Sequence, residues 1–126
     1  MSESSFAENF EDLRVWQQSR VQGGNVYRDF GEGSAAVRDF GFRDQIQRAG
    51  VSVMNNIAEG FERFSPLEFA YHLGVAKGSC GEVRSMLYLA EDLNYIDSKT
   101  ALERRQDALG LSRGIETLSK KLRAKT

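Results

Sequence analysis

The chain has 126 residues, 28% of them charged and 40% apolar, with a formal net charge of −1. This length and composition predict one globular domain over residues 1–126 and exclude a disordered chain. No apolar run approaches the roughly 20 residues that span a bilayer, so we expect no membrane partner, and the polar start lacks a signal-peptide pattern. Because the single Cys80 cannot form an intrachain disulfide, we expect a cytoplasmic protein. We also expect the ends of the chain to be frayed, at about residues 1–8 and 123–126.

The first predicted helix covers about residues 10–29. Its middle contains Gly23 and Gly24, and each glycine costs about 1 kcal/mol relative to alanine inside a helix. We therefore expect either a close neighbour or a kink at this point. Residues 30–34 form the connecting loop. The second helix begins between residues 34 and 40 and ends near residue 61.

The second helix carries two parallel stripes. At 100° per residue, one stripe is apolar and consists of Phe42, Ile46, Ala49, Val53 and Ile57. The stripe beside it, which we call the polar stripe, consists of Gln45, Arg48, Ser52, Asn56 and Glu59. Side chains at these steps can hydrogen-bond along the helix and to a neighbouring helix, so the polar stripe either locks the bundle or meets a partner. The alternative, equally open, is an ordinary solvated flank of an amphipathic helix.

The third helix has the clearest start signal in the chain. Ser65 suits the N-cap, Pro66 the first helical position, and Glu68 the reciprocal capping-box position. Phe64 and Phe69 stand where a hydrophobic staple would form. An apolar seam then repeats in steps of four and three residues: Phe69, Leu73, Ala76, Cys80, Val83, Leu87 and Ala90. We expect the helix to end near residue 93, with Asn94 in the left-handed conformation.

The fourth helix starts after a cap at Asp97 or Ser98. Its buried side is predicted to consist of Ala101, Ala108, Leu111, Ile115, Leu118 and Leu122. Residues 97–126 carry a net charge of +4, whereas the rest of the chain is acidic. Candidate nucleic-acid contacts therefore lie on this helix, at Arg104, Arg105, Arg113, Lys120, Lys121 and Arg123. The alternative is a solvated last helix whose cations suit its dipole.

Short loops between four long helices predict an all-α protein, an antiparallel up-down-up-down four-helix bundle. Strand signals are absent. Glycines inside helices predict a close approach, within the bundle or across a subunit contact. They belong to a mostly small-residue ridge on the third helix and to a pair on the fourth: Ala70, Gly74, Lys77 or Gly78, Gly81 and Ser85, with Gly110 and Gly114. Four further aromatic residues favour an oligomer because they exceed what one small bundle would bury: Phe61, Phe64, Tyr88 and Tyr95.

No group of residues has the pattern of a catalytic or metal centre. His72 and Cys80 supply two of the usual four ligands of a structural zinc site. They are separated by about 12 Å along one helix, which excludes a Cys–His nucleophile pair. We therefore expect no metal, no cofactor and no catalytic residue. One ion pair is predicted, between Arg48 and Glu82, because both residues lie beside the apolar seams of neighbouring helices.

Four short motifs resemble the four-helix-bundle family of 23S rRNA intervening-sequence proteins, which also includes the accessory variability proteins of diversity-generating retroelements. The motifs are Leu13-x-Val15-Trp16-Gln17, Gln45-x-x-Arg48-Ala49-x-x-Ser52, Asn56-Ile57-Ala58-Glu59-Gly60-x-x-Arg63-x-Ser65 and Gly78-Ser79-x-x-Glu82. The resemblance covers roughly residues 10–96. It implies a homo-oligomeric barrel, a pentamer, without enzymatic activity. The retroelement members bind a reverse transcriptase and RNA through a strongly basic surface, whereas this chain has a pI of about 5.9.

Three functional hypotheses follow. The first is a non-enzymatic, homo-oligomeric cytoplasmic scaffold that docks a protein or ribonucleoprotein partner. The second is an RNA- or other nucleic-acid-binding accessory protein that uses a basic ring of fourth helices, since counterion release depends on local cations. The third, an enzyme, is disfavoured because no convergent acid, base or metal set is present.

Overall fold

The computed structural model describes residues 7–125, and this part of the chain contains helices and no strand. After a 3₁₀ turn at Phe10–Asp12, the helices are α1 (Arg14–Asp29), α2 (Phe40–Phe61), α3 (Pro66–Asp92) and α4 (Ser98–Ala124). α1 packs against α2 and α4, and α3 packs against the same two helices. The predicted all-α, antiparallel four-helix bundle is confirmed. The expected fraying stays a prediction, and residues 1–6 and 126 lie outside the described residues.

Local capping chemistry sets the helix boundaries. The hydroxyl of Ser65 accepts a hydrogen bond from the backbone N–H of Glu68 at 3.2 Å, and Asp97 accepts one from Thr100 at 2.7 Å. These contacts satisfy N–H groups that have no partner within the helix. Asn94 has φ 60, the left-handed conformation expected after α3. The predicted starts of α3 and α4 and the end of α3 are therefore confirmed.

Two local predictions were wrong. The first helix does not begin at residue 10, because the buried Leu13 is extended (φ −75, ψ 127) and separates the 3₁₀ turn from α1. The staple between Phe64 and Phe69 does not form, since Phe64 is fully exposed. Phe69 packs instead against Phe61 at the end of α2, with ring centroids 5.9 Å apart.

The predicted apolar seams form the core. All seven seam residues of α3 and all six predicted residues of α4 are buried. One cluster surrounds Leu73, Ile57 and Leu111, and the other surrounds Phe30 and Ile46. The core thus follows the 3.6-residue periodicity of the sequence.

The glycines divide into two groups. A Cβ atom placed at Gly50 of α2 would lie 3.7 Å from the Cα of Gly23, so α1 and α2 cross closely where the sequence predicted a neighbour or a kink. A Cβ atom at Gly60 would lie 2.7 Å from the Cβ of His72, so α2 and α3 also approach closely. The prediction of a close approach inside the bundle is wrong for four other glycines. An added Cβ would meet no atom within 4 Å at Gly74, Gly78, Gly81 and Gly110.

Candidate functional site

The polar stripe of α2 faces α3 along much of its length. The side-chain amide of Gln45 donates to the carboxylate of Glu82 at 3.0 Å. Two turns further along, the hydroxyls of Ser52 and Ser79 lie 2.8 Å apart. These contacts join the two helices beside the apolar seam. Part of the stripe therefore contacts α3 directly, and its role in locking the bundle or meeting a partner stays a prediction.

Asn56 extends this hydrogen-bonded row to the far end of the helix pair. Its amide nitrogen donates to the backbone oxygen of Ser52 at 2.9 Å and to the Ser52 hydroxyl at 3.1 Å. Its amide oxygen lies 3.2 Å from Nδ1 of His72 on α3. Sequence reasoning missed His72 as a member of the row. The signal was available, because Gly60 lets the backbone carrying Asn56 approach α3 at this residue.

The predicted Arg48–Glu82 ion pair was wrong. Arg48 contacts Asp44 one turn earlier on α2, with Nε and Oδ2 3.0 Å apart. Both side chains are mostly exposed, at 79% and 65%, so this pair contributes little to stability. Glu82 instead accepts a hydrogen bond from the side-chain amide of Gln45. The fifth member of the stripe, Glu59, is exposed and pairs with Arg63 at 3.0 Å.

Two of the six candidate nucleic-acid contacts hold helices together. Arg104 makes a bidentate contact with Asp29 of α1, at 2.7 and 3.1 Å, and this carboxylate raises the pKa of the guanidinium. Arg105 donates to Glu91 of α3 at 2.7 Å and lies over the ring of Tyr88, 4.2 Å from its centroid. Binding of a phosphate by either arginine would have to compete with these contacts.

The other four candidates are exposed on α4: Arg113, Lys120, Lys121 and Arg123. Arg113 lies at a shallow depression of about 290 Å³ between α3 and α4, which is also lined by Lys77 and Arg84 of α3. Gly81 forms part of its wall, and an added Cβ there would meet no atom within 4 Å. The sequence did not reveal this group of three cations because they come from two helices.

The second candidate surface is the side of α3 that lies opposite its buried seam. We call this side the outer face of α3. Its members are Leu67, Tyr71, Gly74, Gly78, Ser85 and Leu89. Leu67, Tyr71 and Leu89 are exposed at 58%, 68% and 46%. The outer face therefore presents large apolar side chains at both ends and a glycine-lined hollow between them. An exposed helix face in a monomer is normally polar.

The candidate ligands His72 and Cys80 are not part of a larger group of metal-ligating side chains among the described residues. Within residues 7–125, no group of three or more His, Cys, Asp or Glu side chains is placed to hold a metal ion. Burial raises the pKa of the Cys80 thiol, which donates to the backbone oxygen of Ala108 at 3.3 Å. None of the helices in this part of the chain is long and apolar enough to cross a membrane.

Comparison with known proteins places the chain in a family and finds similar solved structures. A family model described as 23S rRNA-intervening sequence protein matches residues 11–117. A crystal structure from Bacteroides thetaiotaomicron, of a protein with unknown function from the S23 ribosomal protein family, has 21% sequence identity and a TM-score of 0.77. The match covers 84% of this chain and 95% of that chain, and it shows the same fold. No curated protein matches. Neither of the two matches indicates a catalytic family.

Proposed function

Because the chain belongs to the family of 23S rRNA-intervening sequence proteins, we propose that it is a non-enzymatic, homo-oligomeric scaffold that docks a protein or ribonucleoprotein partner in the cytoplasm. The outer face of α3 carries this proposal, because it exposes the large apolar side chains of Leu67 and Tyr71 at one end and of Leu89 at the other. The engagement of the polar stripe within the bundle supports it further. With Gln45, Ser52 and Asn56 bonded internally, α3 offers the more available surface for association.

The occupant of the outer face is a second copy of this chain. Phe64 and Leu67 project at the start of α3, and Gly74 and Gly78 leave a hollow two to three turns later. In the assembly, Phe64 and Leu67 of one copy occupy the hollow at Gly74 and Gly78 of the next copy. Each contact therefore joins two different patches of the outer face. Such head-to-tail contacts close into rings when the rotation between copies allows it. We expect a pentamer, the assembly that the family resemblance implied.

Mass measurement in solution tests the scaffold proposal. We expect native mass spectrometry and sedimentation to give a multiple of the 14.2 kDa chain mass. Tyr71→Glu should dissociate the assembly, since it places a charge in the middle of an apolar contact. The matched control is Leu102→Glu on α4, where leucine is also about half exposed, at 48%. A monomeric wild-type protein, or equal dissociation by both variants, would contradict the proposal.

A second candidate function is binding of RNA or another nucleic acid, and the cations at the α3–α4 depression favour it. Lys77, Arg84 and Arg113 line one concave surface together with the carboxylate of Glu116, so a phosphate group there would meet three positive charges and one negative charge. In a ring, each copy contributes one such surface. This arrangement differs from the predicted ring of fourth helices, because two of its three cations belong to α3.

A gel shift at low and moderate salt tests this second candidate. We expect an Arg84→Gln, Arg113→Gln double variant to weaken binding of single-stranded RNA and to reduce the salt dependence of the binding constant. A Lys120→Gln, Lys121→Gln double variant removes the same charge from the end of α4 and serves as the control. Equal loss in both variants would favour a ring of fourth helices, and absence of salt-sensitive binding would end the candidate.

A further inference from the structure

A cleft of about 320 Å³ lies between α1 and α4. Its apolar floor includes Val83 and Leu87 of α3 and Leu111 of α4. Since the floor belongs to the buried seam of α3, the helix itself separates this cleft from the outer face proposed for oligomerisation. The volume is at the lower end of the range of about 300–1,000 Å³ for small-molecule sites.

The wall formed by α1 is a row of amide side chains. Gln18, Gln22 and Asn25 follow one another at steps of four and three residues and line the cleft. The oxygen Oε1 of Gln22 is buried and has no hydrogen-bond partner. Its amide nitrogen has only a long contact, 3.8 Å, to the sulfur of Cys80. The amide of Gln22 is therefore incompletely satisfied in the free protein, which is unfavourable for a buried polar group.

The charged groups at the cleft largely neutralise each other. Asp29 and Arg104 form a bidentate pair at 2.7 and 3.1 Å, so neither offers an uncompensated charge to a ligand. Asp107 adds a carboxylate from α4, where Gly110 leaves open space for a ligand. A strongly anionic ligand such as a free phosphate is therefore disfavoured. The cleft suits an uncharged molecule with a compact apolar body and hydrogen-bonding groups at its edge.

We propose that the α1–α4 cleft binds a nucleobase, either as a free nucleoside or as an unpaired base of a single-stranded RNA. The edge of a nucleobase carries donors and acceptors side by side, and the amides of asparagine and glutamine pair with such edges. Oε1 of Gln22 is inaccessible to solvent in the free protein, so a ring N–H or amino group supplies the donor that it lacks only once the Gln22 side chain has turned toward the cleft. The cleft volume of about 320 Å³ is comparable to that of a single base with its sugar. This site is independent of the outer face of α3 and of the cationic depression.

Titration calorimetry with adenosine, cytidine, guanosine and uridine tests the proposal, together with a short mixed-sequence single-stranded RNA. We expect at least one nucleoside to bind and about tenfold weaker binding in Gln22→Leu, because the variant removes the pairing amide. Gly110→Leu places a side chain in the open space and should weaken binding by at least as much. Since the two substitutions lie on different helices, either one that folds suffices. Gln17→Leu, on α1 but outside the cleft, is the matched control and should bind normally.

Each result decides the proposal. Nucleoside binding that is lost in the cleft variants and kept in the control supports it. RNA binding with the same dependence, without binding of free nucleosides, also supports it and identifies the strand as the source of the base. Absence of binding to every probe at millimolar concentration, or binding equal in wild type and both cleft variants, overturns it. Sedimentation of the same variants keeps this outcome separate from the scaffold proposal, because neither cleft substitution should change the oligomeric mass.

Discussion

Gly60 is a position where one missing methyl group sets the distance between two helices. A Cβ atom there would lie 2.7 Å from the Cβ of His72 and 2.9 Å from Cδ1 of Phe69. Neither atom is the end of a flexible side chain, so α2 and α3 would have to separate. Gly60→Ala should therefore lower the free energy of unfolding by about 1–3 kcal/mol, measured by urea denaturation.

The matched control for Gly60 is Gly81→Ala on α3. An added Cβ at Gly81 meets no atom within 4 Å, and alanine has the higher helix propensity. This variant should be more stable than wild type by about 0.5–1 kcal/mol. Equal destabilisation by both alanines would mean that the α2–α3 contact does not depend on Gly60.

Asp39 links the start of α2 to the loop after α3. Its carboxylate accepts from the hydroxyl of Tyr95 at 2.6 Å and from the backbone N–H of Phe42 at 3.1 Å. The Tyr95 hydrogen bond is the main cause that lowers the pKa of Asp39 below its ordinary value of 3.8. A lowered carboxyl pKa in the folded protein contributes stability that is present above pH 3.8 and lost as the pH falls through the folded value.

Asp39→Asn keeps a capping side chain but removes this titration. We expect its melting temperature to fall less steeply than that of wild type when the pH is lowered below 3.8. Tyr95→Phe should reduce the acid sensitivity in part, since it removes only one of the two hydrogen bonds. If the melting temperatures of wild type, Asp39→Asn and Tyr95→Phe fall equally as the pH is lowered, another group dominates acid unfolding.

At the scale of elements, the row from Ser79 through Ser52 and Asn56 to His72 fastens α2 to α3. Asn56→Ala removes its central amide and leaves neighbouring polar groups without partners. The expected cost is about 1–2 kcal/mol by urea denaturation. Arg48→Ala removes only an exposed pair on α2 and should change stability by less than about 0.5 kcal/mol. A larger loss for Arg48→Ala than for Asn56→Ala would contradict this division of the stripe.

The helices and their buried seams could be predicted because their signals are local. Periodicity places the α3 seam, and short-range capping at Ser65 and Asp97 places the helix starts. Side-chain contacts between two helices depend on the rotation and axial shift of one helix relative to the other. Sequence spacing does not specify either quantity. The Arg48–Glu82 pair failed for this reason, and His72 was missed for the same reason. The α1–α4 cleft was equally hidden, because its walls lie about 80 residues apart in the chain.

At the scale of the whole molecule, assembly through the outer face of α3 makes stability depend on concentration. If copies associate through Tyr71 and its neighbours, the wild-type melting temperature should rise with each tenfold increase in protein concentration. Tyr71→Glu should melt at a temperature independent of concentration. A concentration-independent melting temperature for wild type would mean that the bundle unfolds without prior dissociation of an oligomer. The predicted relation to retroelement accessory proteins and the subunit number stay predictions.

The position of Cys80 makes the alkylation rate of its thiol a measure of how often the bundle opens. Its thiol is 1% exposed, and burial raises its pKa, so both reagent access and thiolate formation are suppressed while α3 and α4 stay together. An alkylating agent can therefore modify the native chain only during openings of this helix pair. Because the chain has one thiol, the labelling rate of Cys80 reports how often the helix pair opens, without any engineered probe.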